Sequence, residues 1–291
     1  MTDRRSSDPD GHAVHPSGRQ HDRVSAAATL PALLRAAHIG PTLAVTALAT
    51  ALSVAAGASA GRTVLIAGAV FAGQLTIGWS NDLIDRSRDR SVGRTDKPLA
   101  TGELTVRTVT IACAIAVLAV VVLSLLCGIL AGLVHLGCVA TGWAYNLGLK
   151  RTVWSWAPYA LAFGGLTVFV SLAAAGELPE PWVPAVAAML GVGAHLVNAL
   201  PDLADDEATG VRGLPHRLGA RWAQVTAVTV LVAASCVVAI AGREAPGPVR
   251  VGVLLVVLAL AAVALLTRGR APFRAAVAIA IVDAVLLVAA R

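Results

Sequence analysis

The chain reads as an all-α membrane protein, a bundle of about nine transmembrane helices in two related four-helix halves. Three observations predict this. Of 291 residues, 57% are hydrophobic and 14% charged, against roughly 25% charged in soluble domains, and mean hydropathy is +0.75. The apolar residues gather in runs close to the roughly 20 residues that cross a bilayer. One polar pattern, Asn81, Asp85, Asp89, Gly93, returns 117 positions later as Asn198, Asp202, Asp206, Gly210.

Residues 1–24 are rich in Asp, Arg, His, Ser, Gly and Pro and hold too few apolar side chains to fold. They are expected to form a disordered cytoplasmic tail rather than a signal peptide, and 25–291 the membrane domain. Spans are expected at 34–57, 63–84, 105–126, 128–148, 153–175, 182–204, 221–241, 248–267 and 272–290. The stretch from Val106 to Leu147 is too long for one crossing and is split by a turn at Cys127 and Gly128. With this map every Lys and Arg except Arg62, Arg243, Arg250 and Arg291 falls on the side of the N-terminus. Positive charge stays inside, so the N-terminus is expected in the cytoplasm and the C-terminus outside.

The cationic loops account for the basic isoelectric point without a nucleic acid. Cys113, Cys127, Cys138 and Cys236 lack paired CxxC spacing and read as packing residues. Trp154, Trp156, Trp182 and Trp222 fall near span ends, where aromatic belts form. Trp79 and Trp143 are candidates to line a cavity. His135, His195 and Asp283 lie inside spans with no partner evident from sequence.

Chemistry concentrates in the duplicated pattern. Residues four apart share a helix face, so each copy presents an amide and two carboxylates as one stripe. Like charges at a membrane boundary need a counter-charge, and an all-oxygen donor set suits Mg²⁺, which shares its shell with water and substrate phosphate. Asn81 and Asp85 are about 6 Å apart along a helix axis and Asn81 and Asp89 about 12 Å. Either the chain bends after Arg86, or Asp89 serves a second metal or a water. Each stripe is followed by glycine and then basic residues. A single DxxxD at a membrane boundary is more often a solvated loop; two matched copies, each with Asn, Gly and Arg, favour a site.

At these residues the chain resembles the UbiA-type intramembrane prenyltransferase superfamily. Asn81, Asp82, Asp85 and Asp89 are similar to its NDxxDxxxD motif, and Asp202 and Asp206 to its DxxxD motif. The stretch GRTDKPLATG, 93–102, is similar to RTxxRPLxSG, with Lys97 where arginine is usual. Tyr145 followed by Lys150 and Arg151 is similar to the Tyr and basic pair after span 4.

The resemblance implies a nine-helix bundle around a central cavity, with two Mg²⁺ ions held between the two Asp motifs and a prenyl diphosphate bound to them. It implies metal ligation, direct or through water, by Asn81, Asp85, Asp202 and Asp206, with Asp89 and Asn198 as additional ligands. Arg94, Lys97, Lys150, Arg151 and Arg212 then contact the diphosphate. Asp85, Asp202 and Tyr145 carry catalysis, Tyr145 near the scissile bond, and Asp82 or Asp205 is a candidate base. The implied reaction is prenyl transfer to a lipophilic or aromatic acceptor within the lipid bilayer. A terpene cyclase would share the metal motifs. A cation-coupled transporter would place its carboxylates nearer the bilayer midplane, and a phosphatidyltransferase would need a DGxxAR segment that the chain lacks.

Overall fold

A computed structural model describes residues 26–203, 206, 210–242, 246–268 and 270–289. The expected tail and Asp205 lie outside them. The described elements are helical: α1 (Ala26–Ala36), α2 (Ile39–Ala55), α3 (Ala60–Ser91), α4 (Pro98–Thr101), α5 (Val106–Leu126), α6 (Ile129–Leu147), α7 (Ala157–Ala175), α8 (Trp182–Ala199), α9 (Leu214–Ala241), α10 (Gly247–Leu266) and α11 (Ala271–Ala289), with short 3₁₀ turns at Leu149–Arg151 and Leu200–Asp202.

The first expected span is broken. Residues 29–36 and α2 meet at 71°, and His38 at the break has φ 54°. Gly78 of α3 explains where the break sits, since a Cβ there would lie 2.4 Å from the Ala37 carbonyl oxygen. Only a bare backbone lets the two segments approach so closely. Trp79 Nε1 donates to the Leu33 carbonyl at 2.9 Å and Thr42 Oγ1 to that of Ala37 at 3.0 Å, fixing both arms.

Ser59 caps α3 by accepting from the Arg62 amide at 3.3 Å. The helix then continues past the expected end at residue 84 to Ser91, so the first motif lies on one unbroken helix and no bend follows Arg86. The expected split of 106–147 falls where the sequence placed it. Cys127 ends α5, and Gly128 at φ 114° turns the chain into α6.

Seven described helices are long and apolar enough to cross a membrane, and the α1–α2 pair makes eight. The 19-residue α6 lies where the fourth span is expected but is not among these apolar helices, its polar residues including His135 and Asn146, so the expected nine is approximate. The chain is a multi-pass membrane protein.

Two large buried clusters hold the bundle, and they do not coincide with the expected four-span halves, since α7 packs with the first half. One buried apolar cluster joins α8, α9, α10 and α11, from Val183 to Leu287, and another joins α2, α3, α6 and α7 around Ile66, Phe169 and Val170. Helix α7 packs on α8, and α11 returns to α2 as well as α8, which closes the ring. Two of the unassigned membrane residues find partners inside the bundle. His135 accepts or donates at 2.7 Å with Ser124 and stacks on Phe169 at 4.4 Å. Asp283 accepts a hydrogen bond from Ser235 across α9 and α11. Trp143 Nε1 donates to Thr76 Oγ1 at 3.2 Å; Trp79 and Trp143 pack in a cluster with α1, α4 and α5 rather than lining either cavity described below.

Candidate active site

The two stripes face each other at one end of the bundle. Arg88 of α3 joins them, its Nε 3.8 Å from Asp89 Oδ1 and its Nη2 3.7 Å from Asp206 Oδ1. The copies differ locally. In the first, Asp85 and Asp89 are buried on a regular helix. In the second, Pro201 lies in a 3₁₀ turn that ends α8, leaving Asn198 and Asp202 exposed and Asp206 half-buried. Proline has no amide to continue the helical ladder, which accounts for the irregular second stripe.

Asp85 is buried at the centre of a hydrogen-bond network. Lys150 donates to its Oδ2 at 2.5 Å and Asn81 Nδ2 to the same oxygen at 3.1 Å. Asn146, bonded to Asn81, Ser80 and the Ile77 carbonyl, orients that amide. Asp85 Oδ1 is buried with no hydrogen-bond partner. An idle buried carboxylate oxygen beside an amide is a fitting place for a hard cation. Among the described residues no three His, Cys, Asp or Glu side chains already form a metal cage. Lysine and arginine hold the carboxylates instead. Burial pushes the Lys150 ammonium below its ordinary range, with the Asp85 hydrogen bond opposing. Burial also raises the Asp206 carboxyl, with Arg88 and His216 opposing.

The expected anion contacts divide. Lys150 lines a polar cavity of about 130 Å³ together with Tyr145, Tyr159, His195, Asn198, Asp202, Asp206 and His216. Lys97 is turned to Asp82 at 2.7 Å and to His38 Nε2 at 2.7 Å, so it braces the α1–α2 break. Arg94 is paired bidentately with Asp96, both distances 2.8 Å. That pairing lowers the Asp96 carboxyl to about 2 and raises the Arg94 guanidinium. Arg94 still feels the charges of Asp202 and Asp89, so it lies beside both motifs. Arg151 and Arg212 are exposed and outside the cavity lining.

Tyr145 meets Tyr159 edge-on at 5.3 Å and His195 at 5.8 Å. Ser155 bonds His195 Nε2 at 3.0 Å and accepts from the Leu214 amide at 2.9 Å, tying α8 to the start of α9. Gly213 is required at that crossing, where a Cβ would lie 2.7 Å from the Lys150 carbonyl oxygen.

A second cavity of about 600 Å³ is apolar, walled by Ala44, Val45 and Leu48 of α2, Phe163 of α7, and Ala280 and Ile281 of α11. Asn198 lines both cavities.

Sequence reasoning missed three residues here. Arg88, His216 and Tyr159 belong to no motif quoted above, and only their spacing from the stripes hinted at them: Arg88 adjoins Asp89, and His216 lies in the basic stretch after Gly210.

The helical membrane architecture thus brings two acidic motifs together, with Lys150 and Arg88 between them, beside an apolar cleft. The chain belongs to the UbiA prenyltransferase family, whose profile matches residues 39–284. It is 34% identical over 190 residues to the bacteriochlorophyll synthase 33 kDa chain of Cereibacter sphaeroides, an alignment spanning 60% of this chain and 61% of that one. Among solved structures it is similar to a UbiA homolog from Aeropyrum pernix K1, with TM-score 0.70 and 20% identity over 86% of this chain and 98% of the other. It is also similar to a UbiA homolog from Archaeoglobus fulgidus bound to GPP and Mg²⁺, with TM-score 0.66 and 18% identity over 89% and 99% of the two chains. These likenesses establish the fold.

Proposed function

We propose that this enzyme transfers an isoprenyl group from a prenyl diphosphate to a lipophilic or aromatic acceptor in the membrane, releasing diphosphate, with two Mg²⁺ ions bound. The observation that carries the reading is Asn198, which joins a cavity of carboxylates and bases to an apolar cleft of about 600 Å³. That pairing suits a substrate with a charged head and a long hydrocarbon tail. The Archaeoglobus fulgidus homolog bound to GPP and Mg²⁺ supports the same substrate class.

Asn81, Asp85, Asp89, Asn198, Asp202 and Asp206 would hold the metal. Held there, a divalent cation would supply positive charge to a departing diphosphate. Lys150 adds a fixed charge at the buried end of the site, and Arg94 lies beside both motifs. Arg151 and Arg212 require a change of side-chain position to reach a diphosphate, and Lys97 a change of partner. Tyr145 and Tyr159 present aromatic surface where positive charge develops on the allyl group, while the apolar cleft excludes water from it.

The test is mass spectrometry of products from purified protein, Mg²⁺ and a panel of prenyl diphosphates, with and without lipid extract. Product is expected to require the acceptor and to carry its mass plus the prenyl group less one hydrogen. Efficient acceptor-free conversion to a cyclic terpene would replace this reading with that of a cyclase.

The distribution of Lys and Arg supports a site at the cytoplasmic face, with the C-terminus outside. Cysteine introduced at the exposed Ser91 is expected to react with a membrane-impermeant maleimide only in inverted vesicles. Labelling in intact cells would reverse the topology.

A further inference from the structure

We propose that Arg88 and His216 are diphosphate ligands, held on Asp206 in the ligand-free enzyme and transferred to the substrate when metal takes the carboxylates. The inference rests on the prenyl-diphosphate reading above and assigns two residues outside its motifs.

Both oxygens of Asp206 face a base: Arg88 Nη2 lies 3.7 Å from Oδ1 and His216 Nε2 lies 3.5 Å from Oδ2. These are ion-pair distances longer than good hydrogen bonds. Arg88 Nε is buried without a hydrogen-bond partner, and so are both ring nitrogens of His216. The His216 side chain is only 6% exposed and lines the polar cavity. A native fold seldom buries polar nitrogens without a hydrogen bond, and here three such nitrogens sit at the junction of the two motifs. Either tautomer of imidazole offers an N–H, so His216 can donate to a phosphate oxygen whatever its charge. A planar guanidinium offers a fork of donors to the same group.

Charge sets the order of events. In the ligand-free protein Arg88 supplies the positive charge that Asp89 and Asp206 need. A divalent cation arriving alone must compete with that guanidinium. Arriving with diphosphate, it displaces Arg88 onto an anion. Arg88 therefore opposes metal alone and favours metal with diphosphate, a coupling between the two ligands.

Purified full-length protein in detergent gives the test. Mn²⁺ binding is measured by electron paramagnetic resonance without diphosphate, and inorganic diphosphate binding by calorimetry at saturating Mg²⁺. Arg88→Gln is expected to bind Mn²⁺ alone more tightly, yet bind diphosphate about tenfold more weakly, through loss of charge-assisted hydrogen bonds. His216→Leu is expected to weaken diphosphate binding several-fold, and His216→Gln, which keeps an N–H, to restore most of it. Parallel loss of Mn²⁺ and diphosphate binding in Arg88→Gln would mean that Arg88 only holds the carboxylates in place, and would overturn the proposal. Unchanged diphosphate affinity in both Arg88→Gln and His216→Leu would overturn it equally. Should Arg88→Gln not fold, Arg88→Lys is expected to show the same opposed shifts at smaller size, and their absence is a refutation. A wild-type protein that binds neither Mn²⁺ nor diphosphate would instead refute the prenyl-diphosphate reading itself.

Discussion

Asp85→Ala is expected to lower prenyl transfer by at least about 10²–10³-fold, the scale on which losing one transition-state charge contact acts, and to destabilise the protein at the same time. The second effect follows from Lys150, which is 5% exposed and donates to Asp85 at 2.5 Å. Removing one member of a buried pair leaves the other charge unsolvated, at about 3–5 kcal/mol. The two effects separate in Asp85→Ala/Lys150→Met. Two apolar groups replace the pair, so the thermal midpoint in detergent is expected to recover while turnover stays lost. If the double variant regained activity, Asp85 would act only as a partner for Lys150, and metal ligation at the first motif would be rejected.

Asp202→Ala is expected to match that loss of turnover without the loss of stability. Asp202 is exposed on the 3₁₀ turn after α8, so its removal strands no buried charge. Full activity of Asp202→Ala, or of the wild-type protein in EDTA, would sink the metal assignment. Together the variants distinguish a carboxylate built into the bundle from one presented to the ligand by a loop.

The sequence made the helices legible wherever local pattern decides them. Gly128 marks the α5–α6 turn because a positive φ there needs no partner elsewhere in the chain. The first motif was readable as a stripe because four-residue spacing is a local property of helices. The break at His38 was not, since its cause is Gly78 on another helix. Nor was the fate of Lys97, whose partner Asp82 was read as part of a motif rather than as a brace for α1 and α2. His216 escaped because its relation to Asp206 depends on how the chain folds back across a glycine turn. What remained hidden was pairing between elements, on which the detailed electrostatics of the site depend.

The shortness of α2 has a consequence for the surrounding lipid. Its 17 residues span about 25 Å at 1.5 Å per residue, less than the roughly 30 Å of a bilayer's hydrocarbon. The neighbouring α3, with 32 residues, is about 48 Å long by the same rise and projects well beyond it. Acyl chains beside α2 must shorten or tilt to match it, and α2 forms one wall of the apolar cleft. A bilayer that adapts to this wall is expected to thin beside the cleft, which would shorten the path of a prenyl chain's polar end toward the acidic motifs.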